Sequence, residues 1–351
     1  MNGDSGASVA VMVRTGKRNL ITDVAGLKIG NAEDAKVRSG VTVLLTDAPC
    51  AAAVDVRGGA PGTHNVEGLD PVTLVDGVDA LVLSGGSAFG LDAPSGVQAW
   101  LKAKGRGFAI APGAPLVPIV SGAILFDLAN GGDKDWSDMP PYRALGAQAV
   151  ANAGEDFALG NIGAGMGATA GAYKGGLGSA SGVTDDGWTV GAIAAVNSLG
   201  SPLIPGSDVF WAFALEQDGE FGGRGLKSPL PAVDLDLPHD MKGGRAGENT
   251  TIAIVATDVA LTRIELKRLA IMASDGFARA LRPVHTPFDG DLVYAVSTAK
   301  KTLDSQWRPR DVMRLGSLAA DCLARAIARG VYEAQSLGQT KSYRDVFPQR
   351  T

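Results

Sequence analysis

Asn249-Thr250-Thr251 stands where a long polar stretch gives way to an apolar run, Ile252 to Thr257. A threonine hydroxyl is a poor nucleophile near neutral pH. One remedy makes it the first residue of a chain, so that its own α-amine becomes the base. That amine has a reference pKa of about 7.7–8.0, suited to neutral pH. An internal threonine gains such an amine only if the bond before it is cut. The hydroxyl can attack the preceding carbonyl, move the acyl group from nitrogen to oxygen, and leave an ester that water opens. A polar loop ending at a threonine that begins a buried strand is the layout this requires. A threonine that merely caps a helix or opens a strand explains the same residue, and on residue type alone that plainer role is the stronger.

Other groups could join such chemistry. Asp289 and Asp291, two residues apart at a strand entry, point the same way. They could hold an ammonium group or orient a nucleophile; Asp-Gly-Asp is also good turn chemistry. With His285 they could bind a divalent ion, but no partner ligands are apparent elsewhere, and no metal is expected. Lys174 is the one lysine in the run Gly160 to Gly178. Burial would lower its pKa and fit it for proton transfer, whereas an ordinary loop lysine stays solvated. Ser84-Gly85-Gly86-Ser87, before a helical pattern, could offer the N–H groups of Gly85, Gly86 and Ser87 to an oxyanion, or be a simple tight turn. Gly163-Ala164-Gly165-Met166-Gly167-Ala168 matches the dinucleotide fingerprint GxGxxA, but no clear strand precedes it, so no cofactor is expected.

The elements that must position these groups are partly legible. Leu27–Ile29, Val41–Leu45 and Ala51–Val56 read as short strands, with turns at Gly30-Asn31 and Asp47-Ala48-Pro49. Ala80–Leu83 reads as a buried strand leading through the glycine turn into a helix to about Leu101, despite Pro94. Phe108–Ala111 and Pro118–Phe126 are apolar runs, and a helix covers 143–153. Val190–Val196 and Val209–Leu215 are strand-like. Glu216 to Asn249 is polar and rich in Gly, Pro and Asp, with Leu230 to Pro238 its only semi-regular part; a loop this long is usually functional or mobile. Thr262-Arg263-Ile264-Glu265 is a capping box. The helix behind it buries Leu266, Leu269, Ala270, Ala273, Phe277, Ala280 and Leu281 on one face, up to Pro283. A strand at Leu292–Val296 and a helix over 311–329 follow. Strands and helices in separate runs predict helix layers on a mixed or antiparallel sheet.

The composition narrows the class. The chain has 351 residues, 45% of them apolar and 20% charged, as expected of a globular protein with a sizeable core. Glycine is unusual at 48 residues, roughly twice the typical usage of ~7%, with no three-residue period. The net charge of −5 and the lack of a basic block argue against a nucleic-acid partner. Cys50 and Cys322 are isolated, which suits a reduced, cytoplasmic compartment. The apolar run Ala7 to Val13 lacks the basic stretch of a signal peptide, and no segment reads as a membrane span. Only three histidines occur, at 64, 239 and 285, so HExxH and Cys/His zinc sites are absent from the sequence.

Several segments, in order, resemble the DmpA-like family of L-aminopeptidase/D-Ala-esterase-amidases, β-peptidyl aminopeptidases and nylon-oligomer endo-hydrolases. They are Ile21–Leu27, Asp55–Gly59, Leu83–Leu91, Gly163–Ala168, Lys174–Gly176, Val196-Asn197, Asn249–Ile252 and His285–Asp291. The resemblance implies an αββα sandwich of N-terminal-nucleophile-hydrolase type, related to the ornithine acetyltransferases. It implies one domain, 1–351, cut before Thr250 into a large chain 1–249 and a small chain 250–351. Thr250 would be the nucleophile, Asn197 the oxyanion asparagine, Lys174 the lysine beside the nucleophile, and Asp289 and Asp291 the acidic pair. The implied activity is hydrolysis of short peptides or amides, nylon oligomers among them, in an assembly of two-chain units, often tetrameric. An acyltransferase like the ornithine acetyltransferases, and a binding protein that never matures, are the rival expectations.

Overall fold

The computed structural model describes residues 13–228, 236–243, 249–303 and 306–348. Most of the Ala7–Val13 run, and much of Leu230–Pro238, lie outside the described residues.

The strands are β1 (Val13–Arg14), β2 (Leu27–Asp34), β3 (Ser39–Val56), β4 (Thr63–His64), β5 (Val78–Ser84), β6 (Val120–Ile124), β7 (Thr169–Ala170), β8 (Tyr173–Lys174), β9 (Leu177–Thr184), β10 (Thr189–Asn197), β11 (Thr250–Val259) and β12 (Leu292–Lys301). The helices are α1 (Ala93–Ala103), α2 (Tyr142–Ala151), α3 (Arg263–Ala273), α4 (Asp275–Ala280), α5 (Arg308–Tyr332) and α6 (Tyr343–Val346).

Two sheets share β3. Its first half pairs with β2 and β5, and β5 continues to β6 and β4. Its second half pairs with β12, followed in order by β11, β10, β9 and β1. The expected turn at Gly30-Asn31 is absent, because β2 pairs straight through it with Val43 and Thr42, and so is the one at Asp47–Pro49. Those residues are exposed at a shift of register between Leu45 and Cys50, where the strand leaves one sheet for the other. Turn-forming residues here bend a strand instead of ending it.

The period-two alternation of the strands builds four layers. Ile252, Ile254 and Ala256 of β11 face Leu44, Leu81 and Leu83 of the other sheet. Ala253 and Val255 face away, toward Leu266 and Leu269 of α3 and Leu315 and Leu323 of α5. On the far side Val43 and Val82 meet Val97 of α1 and Leu145 of α2. This is the expected αββα sandwich. Ile254 has no exposed surface, and burying such a side chain contributes about 1.5–3 kcal/mol.

Local signals explain several boundaries. Pro94 falls in the first turn of α1, where its missing N–H has no helical partner to lose. The Thr262–Glu265 box caps α3. The helix expected to run on to Leu281 breaks at Ser274, whose hydroxyl donates to Asp55 and to the Ala270 carbonyl. The strand expected at Val209–Leu215 is instead a 3-10 turn over Trp211–Leu215. The glycine-rich run lets α5 lie on β9 almost backbone to backbone: a Cβ on Gly178 would come within 1.9 Å of the Ala326 carbonyl oxygen.

Candidate active site

β10 and β11 run antiparallel, with Asn197 opposite Thr250. Directly opposed residues project to the same face of a sheet. Both sit at strand ends on the same edge, where the loop 285–291 closes over them. Thr250 is 2% exposed, Asn197 1%, Asn249 0%, Asp289 1% and Asp291 2%. The cluster is therefore closed to solvent.

The Thr250 hydroxyl donates to the carbonyl oxygen of Asn249 at 2.5 Å. The Gly290 N–H approaches both atoms, donating to that carbonyl at 2.9 Å and to Thr250 Oγ at 3.2 Å. The carbonyl of the Asn249–Thr250 bond thus lies between a hydroxyl and a main-chain donor. The Asn249 side chain is fully buried, and neither its oxygen nor its nitrogen has a partner among the described residues.

The acidic loop is held from two sides. Asp291 accepts from the Thr251 N–H at 2.8 Å, and from the His285 N–H at 3.1 Å. His285 Nδ1 also lies 3.0 Å from Asp291. Asp289 accepts from the Thr286 N–H and hydroxyl, at 2.9 and 2.6 Å. Burial, and then the neighbouring charge of Asp291, push the Asp289 carboxyl above its ordinary value. Beneath the loop, Arg57 and Gly58 donate to the Asp291 carbonyl and Ala60 to that of Asp289. A Cβ on Gly58 would strike the main chain of Asp289 and Asp291 at 2.3 Å, so glycine is required there.

Asn197 is fixed through its amide. Nδ2 donates to the Phe126 carbonyl at 2.9 Å, while Oδ1 accepts from the Thr169 N–H at 2.9 Å and from Lys242 Nζ at 2.9 Å. Lys174 joins the cluster less directly. It pairs across β7–β8 with Thr169 and donates to the Gly165 and Gly175 carbonyls at 3.0 and 2.7 Å. Burial pushes its ammonium down to about 7, against the opposing pull of Asp127.

The structure therefore brings together Thr250, Asn249, Asn197, Asp289 and Asp291, with Lys174 reached through Thr169. The turn at Gly85, Gly86 and Ser87 does not join them as an oxyanion site. Its three N–H groups already donate to the Gly40 carbonyl, the Asp127 carboxylate and the Leu125 carbonyl. Sequence reasoning missed Gly290 and Lys242. For Gly290 the only signal was its place between two acids, and for Lys242 there was none, since its contact depends on how the 236–243 segment returns to β10. A cleft of about 1200 Å³ lies nearby, lined among others by Tyr173, Arg224, His239 and Asp240, but none of the clustered residues lines it. Among the described residues no group of three or more His, Cys, Asp or Glu could hold a metal ion, and no helix is long and apolar enough to cross a membrane.

Known proteins share this architecture. An uncharacterised aminopeptidase of Mycobacterium tuberculosis is 42% identical over 346 residues, covering 94% of this chain and 98% of its own. A 6-aminohexanoate-oligomer endohydrolase of Kocuria sp. is 29% identical over 317 residues, covering 84% and 79%. Among solved structures, the L-aminopeptidase D-Ala-esterase/amidase of Ochrobactrum anthropi superposes with a TM-score of 0.67 at 22% identity, covering 93% and 89%. It is described as a prototype for the serine aminopeptidases and a variant of the Ntn hydrolase fold. A Burkholderia sp. beta-aminopeptidase gives 0.65 at 21%, covering 96% of each chain. Residues 19–344 match the family model of Peptidase family S58. The chain belongs to that peptidase family and is a hydrolase of amide bonds.

Proposed function

We propose that the protein is an autoprocessing N-terminal-threonine amidohydrolase acting on short peptides or amides with a free amino end, 6-aminohexanoate oligomers among them. The observation that carries this reading is the Thr250 hydroxyl lying against the Asn249 carbonyl while Gly290 N–H donates to both.

In the first reaction Thr250 Oγ bonds to the Asn249 carbonyl carbon. The Gly290 N–H stabilises the resulting oxyanion. The carbon–nitrogen bond breaks, the Thr250 nitrogen takes a proton, and an ester remains. Water opens it to an Asn249 carboxylate and a free Thr250, giving chains 1–249 and 250–351. The new carboxylate adjoins Asp289, with which Asn249 bridges, and Asp291 lies beside them. Three acids in a desolvated site repel one another. Leaving also relieves the buried Asn249 amide, whose lack of partners costs about 1–3 kcal/mol. Both terms drive the cut end out and open the site.

In the second reaction the Thr250 amine takes the hydroxyl proton while Oγ attacks the substrate carbonyl. The Asn197 amide donates to the oxyanion. Lys174, neutral above pH of about 7, serves the proton transfers. Asp289 and Asp291 hold the Thr250 amine and favour a cationic substrate end. Water, not an amine, takes the acyl group. The mature protein is a cytoplasmic assembly of two-chain units.

Intact mass and N-terminal sequencing test the reading. The wild type should give two fragments, the smaller beginning at Thr250, and Thr250→Ala should stay whole and inactive. A purified uncut chain that turns over amides would refute it. Products unchanged by an added amine acceptor would separate hydrolysis from acyl transfer.

A further inference from the structure

The Asn197 amide is gripped at its oxygen by a cation that comes from the precursor linker. Lys242 Nζ lies 2.9 Å from Oδ1 and 3.0 Å from the Asn197 main-chain carbonyl. The segment carrying it is anchored apart from the scissile bond. Lys242 N–H donates to the Leu199 carbonyl at 3.0 Å, Ala172 N–H to the Asp240 carbonyl at 2.7 Å, and the Ser201 hydroxyl to the Asp240 carboxylate at 2.5 Å. Cutting after Asn249 breaks none of these bonds.

We propose that Lys242 remains on Asn197 after scission and is a positioning residue for amide hydrolysis. The ammonium draws electron density from the amide oxygen, so the Nδ2 hydrogens become stronger donors to the negative oxygen of the tetrahedral intermediate. It acts through Asn197 and touches no reacting atom. It also shares in orienting the amide, since Oδ1 must face two donors and Nδ2 is thereby turned toward the Phe126 carbonyl. The large chain would then contribute a working part of the site from its newly made end, and not merely a spent linker. The inference rests on the nucleophile and oxyanion roles proposed above.

Lys242→Met keeps most of the aliphatic stem and removes the charge; Lys242→Arg keeps the charge. Both should cut themselves at the wild-type rate. With alanine p-nitroanilide as probe, or p-nitrophenyl acetate where amide turnover is slow, Lys242→Met should lower kcat roughly tenfold with KM within about twofold. That is a fraction of the 10²–10³ lost when a whole oxyanion donor is removed. Lys242→Arg should recover most of it. The aldehyde of alanine gives a second readout: Thr250 Oγ bonds to its carbonyl carbon, the hydroxyl proton passes to the α-amine, and the aldehyde oxygen takes the charge. Its affinity should fall by the same factor as kcat, while affinity for alanine itself holds. A purely structural lysine would not separate the two ligands. Unchanged kcat, faster turnover by Lys242→Met (the mark of a plug), a fall in kcat with unchanged aldehyde affinity, or loss of self-cutting would each overturn the inference. Failure of the underlying reading shows elsewhere, as turnover by Thr250→Ala.

Discussion

Gly290→Ala is the sharpest probe of the proposed self-cutting geometry. An added Cβ would lie 2.7 Å from Thr250 Oγ, 3.2 Å from Thr250 Cγ2 and 2.8 Å from the Ala60 carbonyl oxygen. The main chain at Ala60 cannot give easily, because its N–H is tied to the Asp289 carbonyl at 2.8 Å. The threonine side chain must therefore yield, and its hydroxyl retreats from the Asn249 carbonyl by several tenths of an ångström. A displacement of about 1 Å costs an aligned reaction roughly 10²-fold. Partial loss of the Gly290 donor acts in the same direction, since one whole oxyanion donor is worth about 10²–10³. Self-cutting should slow by roughly 10- to 100-fold. The assay follows the precursor band on a denaturing gel after rapid purification, with intact mass to place the cut. Crowding of this kind costs about 1–3 kcal/mol, so a thermal melt must first show that the variant is folded. A folded Gly290→Ala that cuts at the wild-type rate would refute the reasoning.

Thr250→Ser should retain both cutting and turnover, because the hydroxyl and the future α-amine remain; an inert, uncut Ser variant on the same gel would contradict the assigned roles. Lys174→Met should remove an acid limb near pH 7 from the kcat profile, because burial holds the Lys174 ammonium down to about 7. The same depressed pKa makes a stability prediction: in the folded chain the proton is lost at about 7, whereas unfolded it is kept to about 10.4. The cost of burying the ammonium is then fully present below pH 7 and fades as pH rises toward 10.4. Lys174→Met should therefore gain most stability against the wild type below pH 7 in urea melts, and an advantage that grows with pH would count against this. Gly178→Ala should destabilise the fold by about 3 kcal/mol or more, since its Cβ would strike the Ala326 carbonyl and the main chain of Gly330; an unshifted melting temperature would show that α5 can move off β9.

Much of the frame could be read from residue order. A continuous apolar run marked β11, the glycine turn marked the end of β5, and the capping box marked the start of α3, because each depends on neighbours along the chain. Asp289 and Asp291 were recognisable as a pair for the same reason. What misled was local chemistry that distant packing overrode. Asp47-Ala48-Pro49 has good turn residues, yet β3 runs through them because two sheets claim its two halves. The Gly85–Ser87 amides looked available, yet Gly40, Asp127 and Leu125 take them.

By itself the sequence determined the apolar strand runs and one-sided helices that make a layered α/β core, and the polar-to-apolar junction at which Thr250 begins a buried strand. Only the tertiary structure decided that Gly290 N–H meets the Asn249 carbonyl and that Lys242 reaches Asn197. Apolar runs, helix faces and capping follow from the geometry of a few consecutive residues, whereas these contacts join groups 41 and 45 positions apart. Their distances are set by how β10, β11 and the 285–291 loop pack, which no local pattern encodes.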